Sequence, residues 1–110
     1  MPMTTQYAET EPTREAIAQT KGPLVLEFGA PWCGICSAAQ PLIARALSAF
    51  PEVVHIKVED GSGRPLGRSF RIKLWPSLIF LRDGQEVSRL VRPTESGGIE
   101  DALRQITTAG

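Results

Sequence analysis

Apolar residues in this chain fall into short unbroken runs and helically spaced stripes, and their succession outlines a fold. Leu24, Val25, Leu26 and Phe28 form a run of strand length between Gly22-Pro23 and Gly29-Ala30-Pro31. Turn residues on both sides predict a buried strand. From Cys33 onward, Ala39, Leu42, Ile43, Ala46, Leu47 and Phe50 recur at three- and four-residue spacing, which predicts a long helix with one apolar stripe. Pro41 lies inside that helix, where the missing amide predicts a kink, and Pro51 marks its end. Residues 53–58 set Val54, Ile56 and Val58 against Val53, His55 and Lys57, an alternation that predicts a second strand with His55 at its surface.

The remaining elements follow from caps and turns. Residues 1–9 read as a loose lead-in. Thr10-Glu11-Pro12 opens a first helix through Ala16, Ile17 and Ala18, which stops at Lys21-Gly22-Pro23. Pro65 to Phe70 predicts a short helix, Ser77 to Leu81 a strand, and Asp83-Gly84 a hairpin turn returning through Glu86 to Val91. Ser96 to Thr108 closes the chain as a helix with the stripe Ile99, Ala102, Leu103 and Ile106. The order is α-β-α-β-α-β-β-α. It predicts an α/β fold with a central mixed sheet flanked by helices, in a single domain spanning residues 1–110.

Size and charge narrow the function classes. A chain of 110 residues holds one core and is too short for two. Its 12 basic and 12 acidic side chains cancel, so there is no electrostatic case for nucleic acid or an anionic membrane. No apolar run approaches the roughly 20 residues that span a bilayer. Met1 to Thr10 carries neither a basic nor an apolar targeting region, so the expected location is cytoplasmic. Gly61, Gly63 and Gly67 lack the spacing of a dinucleotide loop and read as an ordinary one.

The two cysteines carry the chemistry. They sit in Trp32-Cys33-Gly34-Ile35-Cys36, directly after the first strand and at the start of the long helix. A cysteine at a helix N-terminus meets unpaired amides and the positive end of the helix dipole, which favour a thiolate. A disulfide across so short a loop would add only roughly 2 kcal/mol by loop closure, and structural disulfides are rare in reducing compartments. Structure is thus a poor reason for the pair, leaving a redox switch or an incomplete metal site. A structural zinc needs about four ligands, and His55 is the only further nitrogen or sulfur candidate. Glu27 is the second informative residue, because a carboxylate amid Leu24, Val25, Leu26 and Phe28 is costly unless paired or protonated.

A Trp-Cys-Gly-x-Cys run between an apolar strand and a proline-containing helix resembles the active site of the thioredoxin family. The resemblance extends over residues 24–106: Glu27 in the first strand, Pro41 in the helix, Lys57 in the next strand, Trp75-Pro76-Ser77 before the hairpin, and Asp83-Gly84 in its turn. It implies the thioredoxin fold and a thiol-disulfide oxidoreductase. By that resemblance Cys33 is the nucleophile and the more exposed thiol, and Cys36 resolves the mixed disulfide. Glu27 is a buried proton acceptor for Cys36, standing where the family has aspartate, and Lys57 neighbours and tunes it. Trp32, Gly34, Ile35, Trp75, Pro76 and Arg92 bind substrate, with Pro76 as the family's cis-proline. Disulfide-containing proteins are the implied substrates, and thioredoxin reductase or a small thiol the electron donor. No bound cofactor or metal is implied, and a monomer is expected. Ile35 stands where reducing thioredoxins have proline, Trp75 where a smaller residue is usual, and Arg92-Pro93 where a glycine lines the docking surface. These departures favour a restricted client set over a general reductase. The alternative is a partner-specific binding or chaperone module with incidental redox activity.

Overall fold

The computed structural model describes residues 3–107. Four helices, α1 (Arg14–Ala18), α2 (Gly34–Leu47), α3 (Pro65–Ser69) and α4 (Ser96–Thr107), surround strands β1 (Pro23–Gly29), β2 (Val54–Glu59), β3 (Ser77–Arg82) and β4 (Gln85–Val91). The sheet order is β2-β1-β3-β4. β1 runs parallel to β2, with Glu27 in register with Lys57, and antiparallel to β3. β3 and β4 form an antiparallel hairpin with a register shift at Phe80/Leu81. Asp83 and Gly84 both take positive φ at its turn, as a two-residue loop between twisted strands requires.

Side-chain alternation along β1 divides the core. Leu24, Leu26 and Phe28 join Ile17, Val58, Leu66, Phe70, Ile79 and Leu81 on one face. Val25 joins the stripes of α2 and α4 on the other, where Ile99, Ala102, Leu103 and Ile106 are all buried. Glu27 lies two residues from Val25 and so shares its face, under α2. α2 continues unbroken through Pro41, and Phe50 packs against the core from beyond the helix end.

Three expectations are corrected. The first helix begins at Arg14, because the Thr13 hydroxyl accepts from the Ala16 amide at 3.0 Å and serves as the cap. The Glu11 carboxylate instead accepts from the Leu66 amide at 2.9 Å, at the start of α3. Within the lead-in, Tyr7 pairs with Lys57 in an isolated parallel bridge, and the Ala8 amide donates to the Lys57 carbonyl at 2.8 Å. The Thr4 hydroxyl donates to the His55 carbonyl at 2.8 Å. Residues 4–8 are thus tied along the outer edge of β2, whose open backbone groups require partners. His55 and Lys57 are consequently buried, and neither is a surface residue.

Candidate active site

Cys33 is the N-cap of α2, in extended conformation, and its sulfur accepts a hydrogen bond from the Cys36 amide at 3.2 Å. One of the helix's four orphan amides is thereby aimed at the sulfur. Cys33 is partly exposed, Cys36 is buried one turn deeper, and both are free thiols. Burial pushes the Cys36 thiol up to about 11. Its hydrogen bond to Cys33 and the negative charges of Cys33 and Glu27 act the same way, against an opposing backbone hydrogen bond at Ala30.

The mouth of the site is a groove lined by Trp32, Cys33, Gly34, Ile35, Lys73, Leu74, Trp75 and Arg92. The Trp75-Pro76 peptide bond is cis. Trp32 is 75% exposed and meets the Trp75 ring edge-on, with centroids 5.3 Å apart. The Trp75 indole donates to Asp60 at 2.9 Å, which fixes its orientation. Arg92 has φ of 52°, a left-handed conformation that glycine adopts without steric cost. Its amide donates to the Pro76 carbonyl and its guanidinium Nε to the Trp75 carbonyl, both at 2.9 Å.

Behind the cysteines lies a polar network on β1, β2 and α2. Glu27 is fully buried. Gln40 Nε2 donates to Glu27 Oε2 at 2.7 Å and lies 2.9 Å from the Cys36 carbonyl. His55 Nε2 lies 2.9 Å from Glu27 Oε1. The expected Glu27–Lys57 pair is indirect, because the Lys57 ammonium donates to Gln40 Oε1 at 3.0 Å. Gln40 thus joins the carboxylate, the ammonium and the backbone of Cys36. Among the described residues, no group of three or more His, Cys, Asp or Glu could hold a metal ion.

Site residues from four separate stretches of chain converge here. Glu27 and Lys57 stand behind the cysteines, and Trp32, Gly34, Ile35, Trp75 and Arg92 line the mouth. Gln40, Tyr7 and Asp60, which escaped the sequence reading, and His55, which it placed at the surface, belong to the same constellation. Two of them had a local signal. Gln40 follows Cys36 by four residues and so shares its helical face, and His55 precedes Lys57 by two, which puts both on one side of β2. Tyr7 and Asp60 had none.

A family model described as Thioredoxin matches residues 4–105. The chain belongs to the thioredoxin family. Its α/β arrangement is the thioredoxin fold: the structure of thioredoxin 2 from Pseudomonas aeruginosa PAO1 in its reduced form matches with a TM-score of 0.86. That match has 51% identity and covers 98% of this chain and 100% of the other. Thioredoxin NaTrxh from Nicotiana alata, at TM-score 0.72 and 22% identity over 86% of this chain and 81% of the other, shares the fold. In sequence, the chain is 32% identical over 68 residues to a thioredoxin H-type of Fagopyrum esculentum, covering 62% of this chain and 59% of the relative. It is 38% identical over 88 residues to protein disulfide-isomerase A2 of Pongo abelii, covering 74% of this chain and 17% of the relative. The chain spans less than two thirds of the length of either relative.

Proposed function

We propose that this thioredoxin-family chain is a thiol-disulfide oxidoreductase that reduces protein disulfides by two-electron exchange. The observation carrying the proposal is the asymmetry of the pair: Cys33 caps α2 at the mouth of a groove, and Cys36 is buried one turn inside. Cys33 sulfur attacks a substrate disulfide, joining one substrate sulfur and releasing the other as a thiolate. Cys36 then gives its proton to Glu27 and attacks Cys33. The Cys33–Cys36 bond forms, the bond to substrate breaks, and the second substrate sulfur leaves as a thiolate that takes a proton. Glu27 suits the acceptor role because it is buried near Cys36, and only His55 and Gln40 hydrogen-bond to it among the described residues. Lys57 acts on it through Gln40.

The substrate side is Trp32, Gly34, Ile35, Trp75, Pro76 and Arg92. Arg92 supports a narrow client set, because its side chain occupies the Trp75 carbonyl that an extended substrate would otherwise use for strand-like pairing. The chain acts as a monomer in the cytoplasm, with a thioredoxin reductase or a small thiol regenerating the dithiol.

Insulin reduction with dithiothreitol as donor tests this reading, with Cys33→Ser as control. Turnover by the wild type and none by the variant is the expected result. Equal rates for both would leave a docking or chaperone module as the better account.

A further inference from the structure

Tyr7 belongs to the N-terminal segment and has no place in the exchange chemistry described above. It is nevertheless held firmly. Its backbone bridges to Lys57, and the Lys57 ammonium lies 4.6 Å from the centre of its ring. The ring lines a groove of about 780 Å³ that also includes Cys36, Gln40 and Lys57 and shares no lining residue with the groove at the substrate mouth. The hydroxyl oxygen itself is buried and finds no well-aligned hydrogen-bond partner among the described residues. A buried donor without an aligned acceptor costs about 1–3 kcal/mol, and the group that this one reaches, loosely, is the Cys36 sulfur.

Gly29 shows where the hydroxyl points. A Cβ on that residue would sit 2.6 Å from the Cys36 sulfur and 3.1 Å from the Tyr7 hydroxyl oxygen. The two atoms converge on the gap that the missing side chain leaves at the end of β1. We infer that Tyr7 is a further catalytic residue, whose hydroxyl donates a hydrogen bond to the Cys36 sulfur as that sulfur becomes a thiolate in the resolving step.

The inference rests on the oxidoreductase reading and adds a donor to it. When Glu27 takes the Cys36 proton, negative charge appears on a buried sulfur. The charged and titratable groups around it are Cys33 from α2, Glu27 from β1, and Lys57 and His55 from β2. Lys57 is turned to Gln40 and His55 to Glu27, so among the described residues neither cation-capable side chain hydrogen-bonds to the sulfur. Tyr7 is the hydroxyl beside it. Burial, then the negative charges of Cys36, Glu27 and Cys33, hold the phenol well above its ordinary range, and a loose contact with the Cys36 sulfur adds to this. The phenol therefore stays protonated throughout and acts only as a donor. No proton leaves it, and the electron balance of the exchange is unchanged.

The full chain with Tyr7→Phe tests the assignment by two readouts. The first is the titration of Cys36 in the reduced protein, followed by the 13C shift of its Cβ. It should move up by about one pH unit, and single-turnover resolution of a Cys33 mixed disulfide should slow about tenfold, the loss expected for one hydrogen bond to a charged sulfur. Tyr7 is the only tyrosine, so uniform 3-fluorotyrosine labels it alone. This keeps the ring's shape, strengthens the donor and should shift both readouts the other way. An unmoved Cys36 titration in both proteins overturns the proposal, even if Tyr7→Phe melts at a lower temperature. A wild type that reduces no disulfide sinks the oxidoreductase reading instead, and the titration still decides the Tyr7 contact.

Discussion

His55 Nε2 donates to Glu27 Oε1 across 2.9 Å with both side chains fully buried, and the tautomer that allows it is set by the N-terminal segment. The Thr4 amide donates to His55 Nδ1 at 3.0 Å. That occupies the Nδ1 lone pair and leaves the ring proton on Nε2, pointing at the carboxylate. A buried carboxylate is tolerated only with such donors. His55→Ala would remove one of the two donors to Glu27 and strand the Thr4 amide. We expect a loss of about 2–4 kcal/mol in urea denaturation, with His55→Gln, which keeps an NH donor, recovering part of it. A variant as stable as the wild type would show that this contact contributes nothing.

Gln40 is the second donor, and among the described residues it alone links Lys57 to Glu27. Gln40→Leu keeps a similar volume and removes both bonds. It should cost about 2–3 kcal/mol and slow mixed-disulfide resolution severalfold, since the carboxylate and the ammonium both lose a buried partner. Attack by Cys33 on substrate should proceed at the wild-type rate. Stopped-flow separation of the two steps checks this, and equal slowing of both would contradict it.

The raised Cys36 thiol sets an order of reactivity. With its value at about 11 against an ordinary 9.0, about a hundredfold less Cys36 is thiolate at pH 8 than for an unperturbed thiol. Iodoacetamide should therefore modify the partly exposed Cys33 and leave Cys36 largely untouched, as peptide mapping would reveal. The same shift acts on stability. The folded state holds the Cys36 proton more tightly than the unfolded state, so the reduced protein loses stability as pH rises from 9.0 toward about 11. Cys36→Ala should lack that part of the loss.

Arg92 offers a test of client restriction. Its φ of 52° is strained for a residue with a Cβ, and its guanidinium covers the Trp75 carbonyl. Arg92→Gly relieves the backbone and frees that acceptor. We expect unchanged or slightly higher stability, by up to about 1 kcal/mol, and a severalfold lower KM for an extended peptide disulfide. A higher KM would mean that the Arg92 side chain contributes more to substrate binding than it blocks, and would contradict the client restriction.

Much of this architecture was written in local pattern. The α4 stripe of Ile99, Ala102, Leu103 and Ile106 was read from spacing and is buried as a unit. Asp83-Gly84 announced the hairpin, and Trp32-Cys33-Gly34-Ile35-Cys36 announced a helix start carrying two thiols. Such features are legible because helix and turn geometry couple residues only two to four positions apart.

The surroundings of the thiols were decided elsewhere. Thr4 meets His55 across 51 positions, and His55 meets Glu27 across 28. Nothing local in the chain marks either pair. An alternating strand with an open edge reads as half-exposed, so His55 looked outward until residues 4–8 lay along that edge. Lys57 sits in register with Glu27, yet its ammonium goes to Gln40, because side-chain reach and not strand register sets the final partner. The sequence by itself determined the fold, the thiol pair and its helix-cap position, which depend on propensity and spacing. The tertiary structure decided which groups hold the buried carboxylate and face the buried sulfur, because those contacts form only once distant segments pack and water is excluded.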